Sequence, residues 1–187
     1  MRLGVLASGS GSNLQAILDG CASGKIPAQV AVVVCNVPGA RALERARAAG
    51  VPTVLLEHKQ FASRDEYDRE LVAVLRRHGV ELVCLAGFMR LLGPVLLGAF
   101  QNKILNIHPS LLPAFPGLHA VRQTVAAGVR ISGCTVHVVD ATLDGGPIVA
   151  QEAVPILPGD DEATLHERIL AVEHRILPRA KIGRAHV

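Results

Sequence analysis

An amide and an imidazole stand two residues apart at the end of an apolar segment, in the run Asn106-Ile107-His108. Side chains at i and i+2 of an extended chain point the same way, and Pro109 stops the strand just beyond them. Asparagine can donate to a developing oxyanion, and the neighbouring histidine can move a proton. The pair therefore suits acyl transfer, although such residues at a strand end often serve only as turn and hydrogen-bonding groups.

A carboxylate that could serve this pair lies in a second turn, Asp144-Gly145-Gly146-Pro147, which follows another strong strand. An aspartate beside an imidazole orients the ring and stabilises its charged form. Asn106, His108 and Asp144 are accordingly the predicted catalytic residues, provided that the fold brings them together.

A glycine-rich turn, Ala7-Ser8-Gly9-Ser10-Gly11-Ser12-Asn13, joins the first predicted strand to the first predicted helix. Glycines there let backbone N–H groups approach an anion at the helix N-terminus, and phosphate is the expected ligand. The turn lacks the lysine of a P-loop, and Leu14 replaces the third glycine of the dinucleotide fingerprint. A purely structural turn is the alternative. Together with Asn106 and His108, the turn suggests that a phosphorylated substrate is held while an acyl group moves.

Short apolar segments alternate with helical patterns along the chain, which is typical of consecutive βα units and a mostly parallel sheet. Two β-rich segments, 134–140 and 148–155, flank the Asp144 turn and lie too close in sequence for a helical crossover, so we expect them to pair antiparallel. The sequence predicts one α/β domain over residues 1–181, with an open, mostly parallel, Rossmann-like sheet flanked by helices and an antiparallel strand pair near the C-terminal end. The parallel strands are predicted at 3–7, 29–35, 53–56, 81–86 and 103–107.

The amino-acid composition limits the kinds of core and of ligand that this protein can have. Half of the 187 residues are hydrophobic and tryptophan is absent, so Val, Leu, Ile and Ala must build the core. The net charge of +3 is scattered, which favours small anionic ligands over nucleic acid, although a merely solvated surface explains it equally well. We expect no metal, no membrane segment and a cytoplasmic location, with buried, reduced thiols at Cys21, Cys35, Cys84 and Cys134.

The C-terminal residues depart from the pattern of the rest. A helix is predicted over residues 164–176, and Pro178 is predicted to restart it. Residues 182–187 supply no apolar helical face and match one reading frame of a common sequencing-adapter oligonucleotide. We therefore expect a non-native tail that replaces part of the last helix, the alternative being a short natural tail.

The order of these motifs resembles that of the phosphoribosylglycinamide formyltransferases, the folate-dependent enzymes of purine biosynthesis. The resemblance covers about residues 1–180. It rests on Ser8-Gly9-Ser10-Gly11-Ser12-Asn13-Leu14-Gln15-Ala16, Asp68-Arg69-Glu70-Leu71, Leu85-Ala86-Gly87-Phe88-Met89-Arg90, Asn106-Ile107-His108-Pro109-Ser110-Leu111-Leu112-Pro113, Pro116-Gly117-Leu118-His119 and Leu143-Asp144-Gly145-Gly146-Pro147.

The resemblance implies a formyltransferase fold and transfer of the formyl group of 10-formyltetrahydrofolate to the amino group of glycinamide ribonucleotide. It implies a monomer or weak homodimer that acts on small molecules. The residues implied to bind the ribonucleotide are Gly11, Ser12, Asn13 and Glu173. Those implied to bind the folate are Arg64, Met89, Arg90, Leu91, Leu92, Asn106, Asp140, Ala141, Thr142, Leu143 and Asp144, the last five enclosing the pteridine. Without the resemblance, Arg64 would be an ordinary residue of a first helical turn and Glu173 part of a solvated face.

Two alternatives to this function remain. Formyltetrahydrofolate hydrolases and methionyl-tRNA formyltransferases share the Asn-x-His pair and the distant aspartate, but usually carry an extra domain that we do not expect here. A catalytically silent protein that retains phosphate and folate binding is the second alternative.

The other seven histidines compete with His108 as candidate bases. His78 precedes the glycine that is predicted to end a helix, so we expect it to cap that helix. His137 lies within a predicted strand, where we expect a satisfied core or edge residue. We expect His119 to shape its loop. The remaining competitors are His58, His166, His174 and His186.

Overall fold

A computed structural model describes residues 1–180 of the chain, in which seven strands form one sheet of order β3-β2-β1-β4-β5-β6-β7. The strands are β1 (Arg2–Ala7), β2 (Gln29–Cys35), β3 (Thr53–Leu55), β4 (Leu82–Leu85), β5 (Ile104–His108), β6 (Ile131–Val138) and β7 (Ile148–Pro155). The helices are α1 (Ser12–Ala22), α2 (Arg41–Ala48), α3 (Arg64–Arg77), α4 (Pro94–Ala99), α5 (Ala120–Ala127) and α6 (Glu162–Arg179), with one 3-10 turn at His58–Gln60.

The sheet is parallel from β3 to β5 and antiparallel from β5 through β6 to β7. This arrangement confirms the predicted open, mostly parallel α/β sheet with an antiparallel pair near the C-terminal end. Strand order reverses between β1 and β4, because the chain winds outward to β2 and β3 before it returns to β4. Ligands of open α/β sheets bind at such a switch point, beyond the carboxyl ends of the strands.

The core lies on both faces of the sheet. On one face, Leu3 and Val5 of β1 pack in a buried cluster with residues of α1 and α6. On the other face, Leu6 packs in a second cluster with Tyr67 and Leu71 of α3. Burial on both faces explains why these strands are nearly continuous apolar runs in the sequence.

Helix α3 has the ends that its sequence predicts. The Ser63 side chain accepts a hydrogen bond from the Glu66 N–H at 3.2 Å, while the Glu66 carboxylate accepts one from the Ala62 N–H at 3.1 Å. At the other end, His78 Nδ1 lies 2.9 Å from a carbonyl oxygen one turn back, and Gly79 follows with φ +63°. The predicted capping by His78 is confirmed.

Helix α6 continues through Pro178 to Arg179, so the predicted restart at Pro178 was wrong. Proline removes one hydrogen bond close to the C-terminal end of this helix. Ile176 and Leu177, the two residues before the proline, remain buried in the core, and their packing holds the turn helical. The expected tail, residues 182–187, and the domain boundary at 181 lie outside the described residues.

The four cysteines are free thiols. Cys35, Cys84 and Cys134 are buried as predicted, whereas Cys21 is only partly buried. Burial raises the pKa of Cys84 and Cys134 to about 12, so both stay protonated at neutral pH. Within residues 1–180, no helix is both long and apolar enough to cross a membrane.

Candidate active site

Three chain segments meet at the carboxyl ends of β1, β4 and β5. The register places Leu6 of β1 beside Leu85 of β4, and Leu85 beside Asn106 of β5. The glycine-rich turn after β1, the loop after β4 and the end of β5 therefore leave the sheet side by side. Asn106 and His108 lie at the carboxyl end of β5. Because side chains alternate between the two faces of a strand, these two point to the same face.

His108 is held between two acceptors. Its Nε2 lies 2.8 Å from the Phe115 carbonyl oxygen, and its Nδ1 lies 3.4 Å from Oδ2 of Asp144. Only the doubly protonated ring has a donor for each of these oxygens. The side chain is 5% exposed, so the orientation of the ring is fixed by its surroundings.

Asp144 reaches His108 from the loop between β6 and β7. Its Oδ2 also accepts a hydrogen bond from the Gly117 N–H at 2.8 Å, and its backbone has φ +50°. The neighbouring His137 ring, the Gly117 amide and His108 lower the pKa of Asp144, although burial opposes the shift. The carboxylate is therefore ionised at neutral pH and is oriented from several directions.

His137 also belongs to this cluster, which sequence reasoning missed. It is a buried strand residue, as predicted, but it lies opposite Asn106 in the β5–β6 register. Its Nε2 is 3.1 Å from Asn106 Nδ2 and 3.6 Å from Asp144 Oδ1. His137 thus connects the amide to the carboxylate. The contact could have been predicted by aligning the segment around residue 137 antiparallel to β5, in the register that places His137 opposite Asn106.

The loop after β5 is fixed by the neighbouring strands. The Thr135 hydroxyl donates to the Ser110 carbonyl oxygen at 2.7 Å and accepts from the Leu112 N–H at 3.0 Å. Gln151 of β7 donates to the Leu112 carbonyl oxygen at 2.9 Å. These contacts hold the segment that carries Phe115, the acceptor for His108.

The glycine-rich turn adopts a conformation that requires glycine at one position. Gly11 precedes α1 with φ +70°, and a Cβ there would lie 2.7 Å from the Ala42 Cα of α2. The first backbone N–H groups of α1 follow directly, at the positive end of the helix dipole. This geometry suits an anion, as the sequence predicted for the turn.

Glu173 lies against the same turn. Asn13 Nδ2 donates to Glu173 Oε2 at 2.8 Å. The glutamate is 4% exposed, so the alternative of a solvated face is wrong. Burial raises the pKa of Glu173 to about 7, although the Asn13 amide opposes the shift. Such a carboxyl group changes its charge near neutral pH.

The loop after β4 is anchored at both ends. The Met89 N–H donates to the Ser8 hydroxyl at 2.9 Å, and the Gly93 N–H donates to Oδ2 of Asp68 at 2.8 Å. Between these anchors, the Arg90 guanidinium lies 4.6 Å from the centre of the Tyr67 ring. The apolar side chains Met89 and Leu91 remain 70% and 62% exposed.

The loop before Asp144 has its own local structure. Oδ1 of Asp140 accepts a hydrogen bond from the Thr142 N–H at 2.8 Å, which closes an Asx turn. Leu143 is 59% exposed, and its side chain lies 3.5 Å from where a Cβ on Gly117 would stand. This loop therefore presents an apolar side chain beside the carboxylate of the cluster.

Comparison with known proteins identifies the family. The sequence model described as "Formyl transferase" matches residues 1–181. The chain belongs to the formyl transferase family. It is 45% identical over 177 residues to phosphoribosylglycinamide formyltransferase of Bacillus subtilis, covering 95% of this chain and 91% of that relative. It is also 50% identical to the trifunctional purine biosynthetic protein adenosine-3 of Drosophila melanogaster, covering 96% of this chain but only 13% of that relative's length.

Solved structures of other formyl transferases share the fold. Glycinamide ribonucleotide transformylase 1 from Symbiobacterium toebii superimposes with a TM-score of 0.97 at 56% identity, covering 99% of this chain and 87% of that one. Phosphoribosylglycinamide formyltransferase from Bacillus halodurans gives a TM-score of 0.96 at 44% identity, covering 100% and 97%. The predicted formyltransferase fold is confirmed.

The predicted site residues of this formyl transferase fall into three groups in space. Asn106, His108 and Asp144 form one cluster with His137. The residues predicted to bind the ribonucleotide form a second group, since Gly11 caps the start of α1, Ser12 is its first residue and Asn13 bonds to Glu173. The residues predicted to bind the folate lie in two places. Arg64 packs beside Gly93 at the end of the 89–92 loop, and residues 140–144 form the loop that carries the Asp144 carboxylate.

Within residues 1–180, no group of three or more His, Cys, Asp or Glu side chains could hold a metal ion. The clustered side chains contact backbone amides, carbonyls and one another instead.

Proposed function

We propose that this formyl transferase moves the formyl group of 10-formyltetrahydrofolate to the amino group of glycinamide ribonucleotide, in purine biosynthesis. The observation that carries the proposal is the contact of His108 with Asp144 beside Asn106, next to the glycine-rich turn that faces Glu173. Relatives named phosphoribosylglycinamide formyltransferase support it, with identities of 45% to 50% over nearly the whole chain.

The reaction begins with attack of the neutral amine on the formyl carbon. A new C–N bond forms, and negative charge moves to the formyl oxygen. The Asn106 amide is the donor for that oxygen, and the positive charge of the His108 imidazolium stabilises the developing negative charge electrostatically. When the Asn106 amide nitrogen donates one hydrogen to His137 Nε2, its second hydrogen stays available for the substrate. His137 is then a positioning residue for the amide.

Collapse of the tetrahedral intermediate breaks the bond between the formyl carbon and N10 of the folate. The attacking amine loses one proton, and the leaving N10 gains one. His108, paired with the Asp144 carboxylate, is the group placed to assist this transfer. The amine itself is the nucleophile, so the step needs no covalent intermediate on the protein.

The ribonucleotide fits the glycine-rich turn and its neighbour. Backbone N–H groups at Gly11, Ser12 and Asn13 offer donors to the phosphate, and the dipole of α1 favours its negative charge. The Glu173 carboxylate offers an acceptor for ribose hydroxyl groups. Asn13 orients that carboxylate through their 2.8 Å hydrogen bond.

The folate fits the two loops on either side of the catalytic cluster. Exposed Met89, Leu91 and Leu143 offer apolar surface for the pteridine and the adjoining ring. Backbone groups of residues 89–92 and 140–144 offer donors and acceptors for the polar edge of the pterin. Formyltetrahydrofolate is a co-substrate here, and the proposal requires no metal.

The decisive experiment is an assay of tetrahydrofolate formation by absorbance, with and without glycinamide ribonucleotide. Product that depends on the ribonucleotide is expected. The Asn106→Ala variant should be slower by about 10²–10³-fold, since it lacks an oxyanion donor. Product without the ribonucleotide would indicate a hydrolase instead, and ligand binding without product would indicate a silent binding protein.

We propose further that the enzyme works in the cytoplasm, as a monomer or weak homodimer, on small molecules and not on nucleic acid. The modest net charge of +3 and its scattered distribution support small anionic ligands. Light scattering across a concentration series tests the oligomeric state, and a fixed large assembly would contradict it.

A further inference from the structure

Ser8 joins the two loops that the proposed function assigns to different substrates. It lies in the glycine-rich turn, two residues after the last core leucine of β1. Its backbone N–H donates to the Gly87 carbonyl oxygen at 3.0 Å, and its hydroxyl accepts from the Met89 N–H at 2.9 Å. One residue of the ribonucleotide turn is thus bonded twice to the loop that is assigned to the folate.

The hydroxyl of Ser8 has a fixed direction. It donates to Oδ1 of Asn36 at 2.6 Å, and Asn36 is a buried residue just after β2. A hydroxyl has one hydrogen, and this one is used by Asn36. A lone pair of the oxygen is therefore left for the Met89 N–H. Asn36 directly follows Cys35, the last residue of β2, which lies between β3 and β1 in the sheet.

We propose that Ser8 is a positioning residue that couples the binding of the ribonucleotide to the binding of the folate. This inference rests on the proposed function for the identity of the two ligands. A ligand that restrains the glycine-rich turn also restrains the backbone of Ser8, and through the Ser8 hydroxyl it restrains Met89. The second ligand then meets a loop that is already ordered, and it pays less conformational entropy on binding.

The coupling works in both directions. Linkage requires that the folate strengthen ribonucleotide binding by the same factor by which the ribonucleotide strengthens folate binding. Asp68 anchors the far end of the same loop, but it contacts no part of the glycine-rich turn in the bonds described for it. Of these two anchors, Ser8 is therefore the one that links the loops.

The test measures binding by calorimetry, without turnover. Tetrahydrofolate affinity is determined with and without saturating glycinamide ribonucleotide, in the unsubstituted chain and in Ser8→Ala, Ser8→Thr and Ser8→Cys. The matched control is Ser23→Ala, which removes a hydroxyl at the end of α1 whose bond goes only to the Gly20 carbonyl. Melting temperatures of all variants are recorded alongside.

In Ser8→Ala we expect a rise of about threefold to tenfold in the dissociation constant of tetrahydrofolate in the ternary complex, the size of one lost hydrogen bond. The enhancement by the ribonucleotide should fall towards one. Ser8→Thr keeps the hydroxyl and should retain the coupling, and Ser23→Ala should match the unsubstituted chain. If Ser8→Ala does not fold, Ser8→Cys replaces it, because a thiol keeps the shape but accepts poorly.

Coupling of unchanged strength in both Ser8→Ala and Ser8→Cys would overturn the proposal, as would its absence from the unsubstituted chain. Failure of the proposed function has a different signature. In that case the unsubstituted chain binds neither ligand, or binds both without transferring a formyl group.

Discussion

Oδ2 of Asp144 lies 3.4 Å from His108 Nδ1 and 2.8 Å from the Gly117 N–H, so one carboxylate oxygen connects β5 to the loop that follows it. The same loop supplies the Phe115 carbonyl to the other nitrogen of His108. The imidazole therefore lies between the Asp144 carboxylate and a carbonyl group of the loop to which that carboxylate is also hydrogen-bonded.

Replacing this carboxylate by an amide tests its electrostatic role. Asp144→Asn keeps the size of the side chain but removes the negative charge opposite His108, so kcat should fall by about 10²-fold or more, as expected for loss of a proton-transfer partner. KM for the ribonucleotide should change little. Initial rates with both substrates provide the measurement, and Asp19→Asn, an exposed aspartate on α1, is the control. Near-normal turnover in Asp144→Asn would remove it from the mechanism.

Because of Glu173, the free energy of unfolding should fall as the pH rises, which is opposite to the effect of a carboxylate whose pKa is lowered by folding. Its pKa of about 7 in the folded protein exceeds its ordinary value of 4.5, so the folded state binds the proton more tightly than the unfolded chain does. The stabilisation is fully present below pH 4.5 and is lost as the pH rises through about 7. We expect Glu173→Gln to abolish this loss, which melting temperatures between these pH values measure. Parallel curves for the two proteins would contradict the assignment.

Asp68 should control folate affinity from a distance. Its carboxylate accepts from the Gly93 N–H at the end of the folate loop, and its removal leaves that buried amide unpaired, at a cost of about 1–3 kcal/mol. Asp68→Ala should therefore raise KM for the formylated folate and leave KM for the ribonucleotide unchanged. Asp68→Asn, which keeps an acceptor, should recover most of the loss. Equal effects on both substrates would point to a general loss of structure.

Gly11 and Gly9 form a matched pair within one turn. A Cβ at Gly11 would collide with the backbone of α2 and would occupy a left-handed conformation, whereas a Cβ at Gly9 meets nothing within 4 Å. Gly11→Ala should destabilise the protein by about 1–3 kcal/mol, the range for enforced backbone strain, and should weaken ribonucleotide binding. Thermal denaturation checks both variants. A Gly9→Ala variant that melts as low as Gly11→Ala would contradict the explanation.

Much of this architecture could be read from the sequence because it depends on local periodicity. The alternation of apolar strands and helical patterns predicts the parallel sheet, and spacing by two places Asn106 and His108 on one face. The capping residues of α3 likewise act within a few positions of one another. Such features need no knowledge of how distant segments are aligned.

The contacts that sequence reasoning missed are those that depend on alignment of distant segments. His137 meets Asn106 only because β6 runs antiparallel to β5 in one particular register. Periodicity assigns a face to His137 but not a partner across the sheet. The course of α6 through Pro178 is a similar case, because the burial of Leu177 overrides a local helix-breaking tendency.

Because Arg90 lies over Tyr67, the fluorescence of this tyrosine should respond to movements of the loop that carries Arg90. The chain contains one tyrosine and no tryptophan, so its tyrosine fluorescence comes from Tyr67 alone. That ring touches the guanidinium of the loop that Ser8 and Asp68 anchor. The proposed ribonucleotide substrate carries no strongly absorbing base, so its effect on the loop at residues 89–92 can be followed as a change in tyrosine fluorescence, without any label.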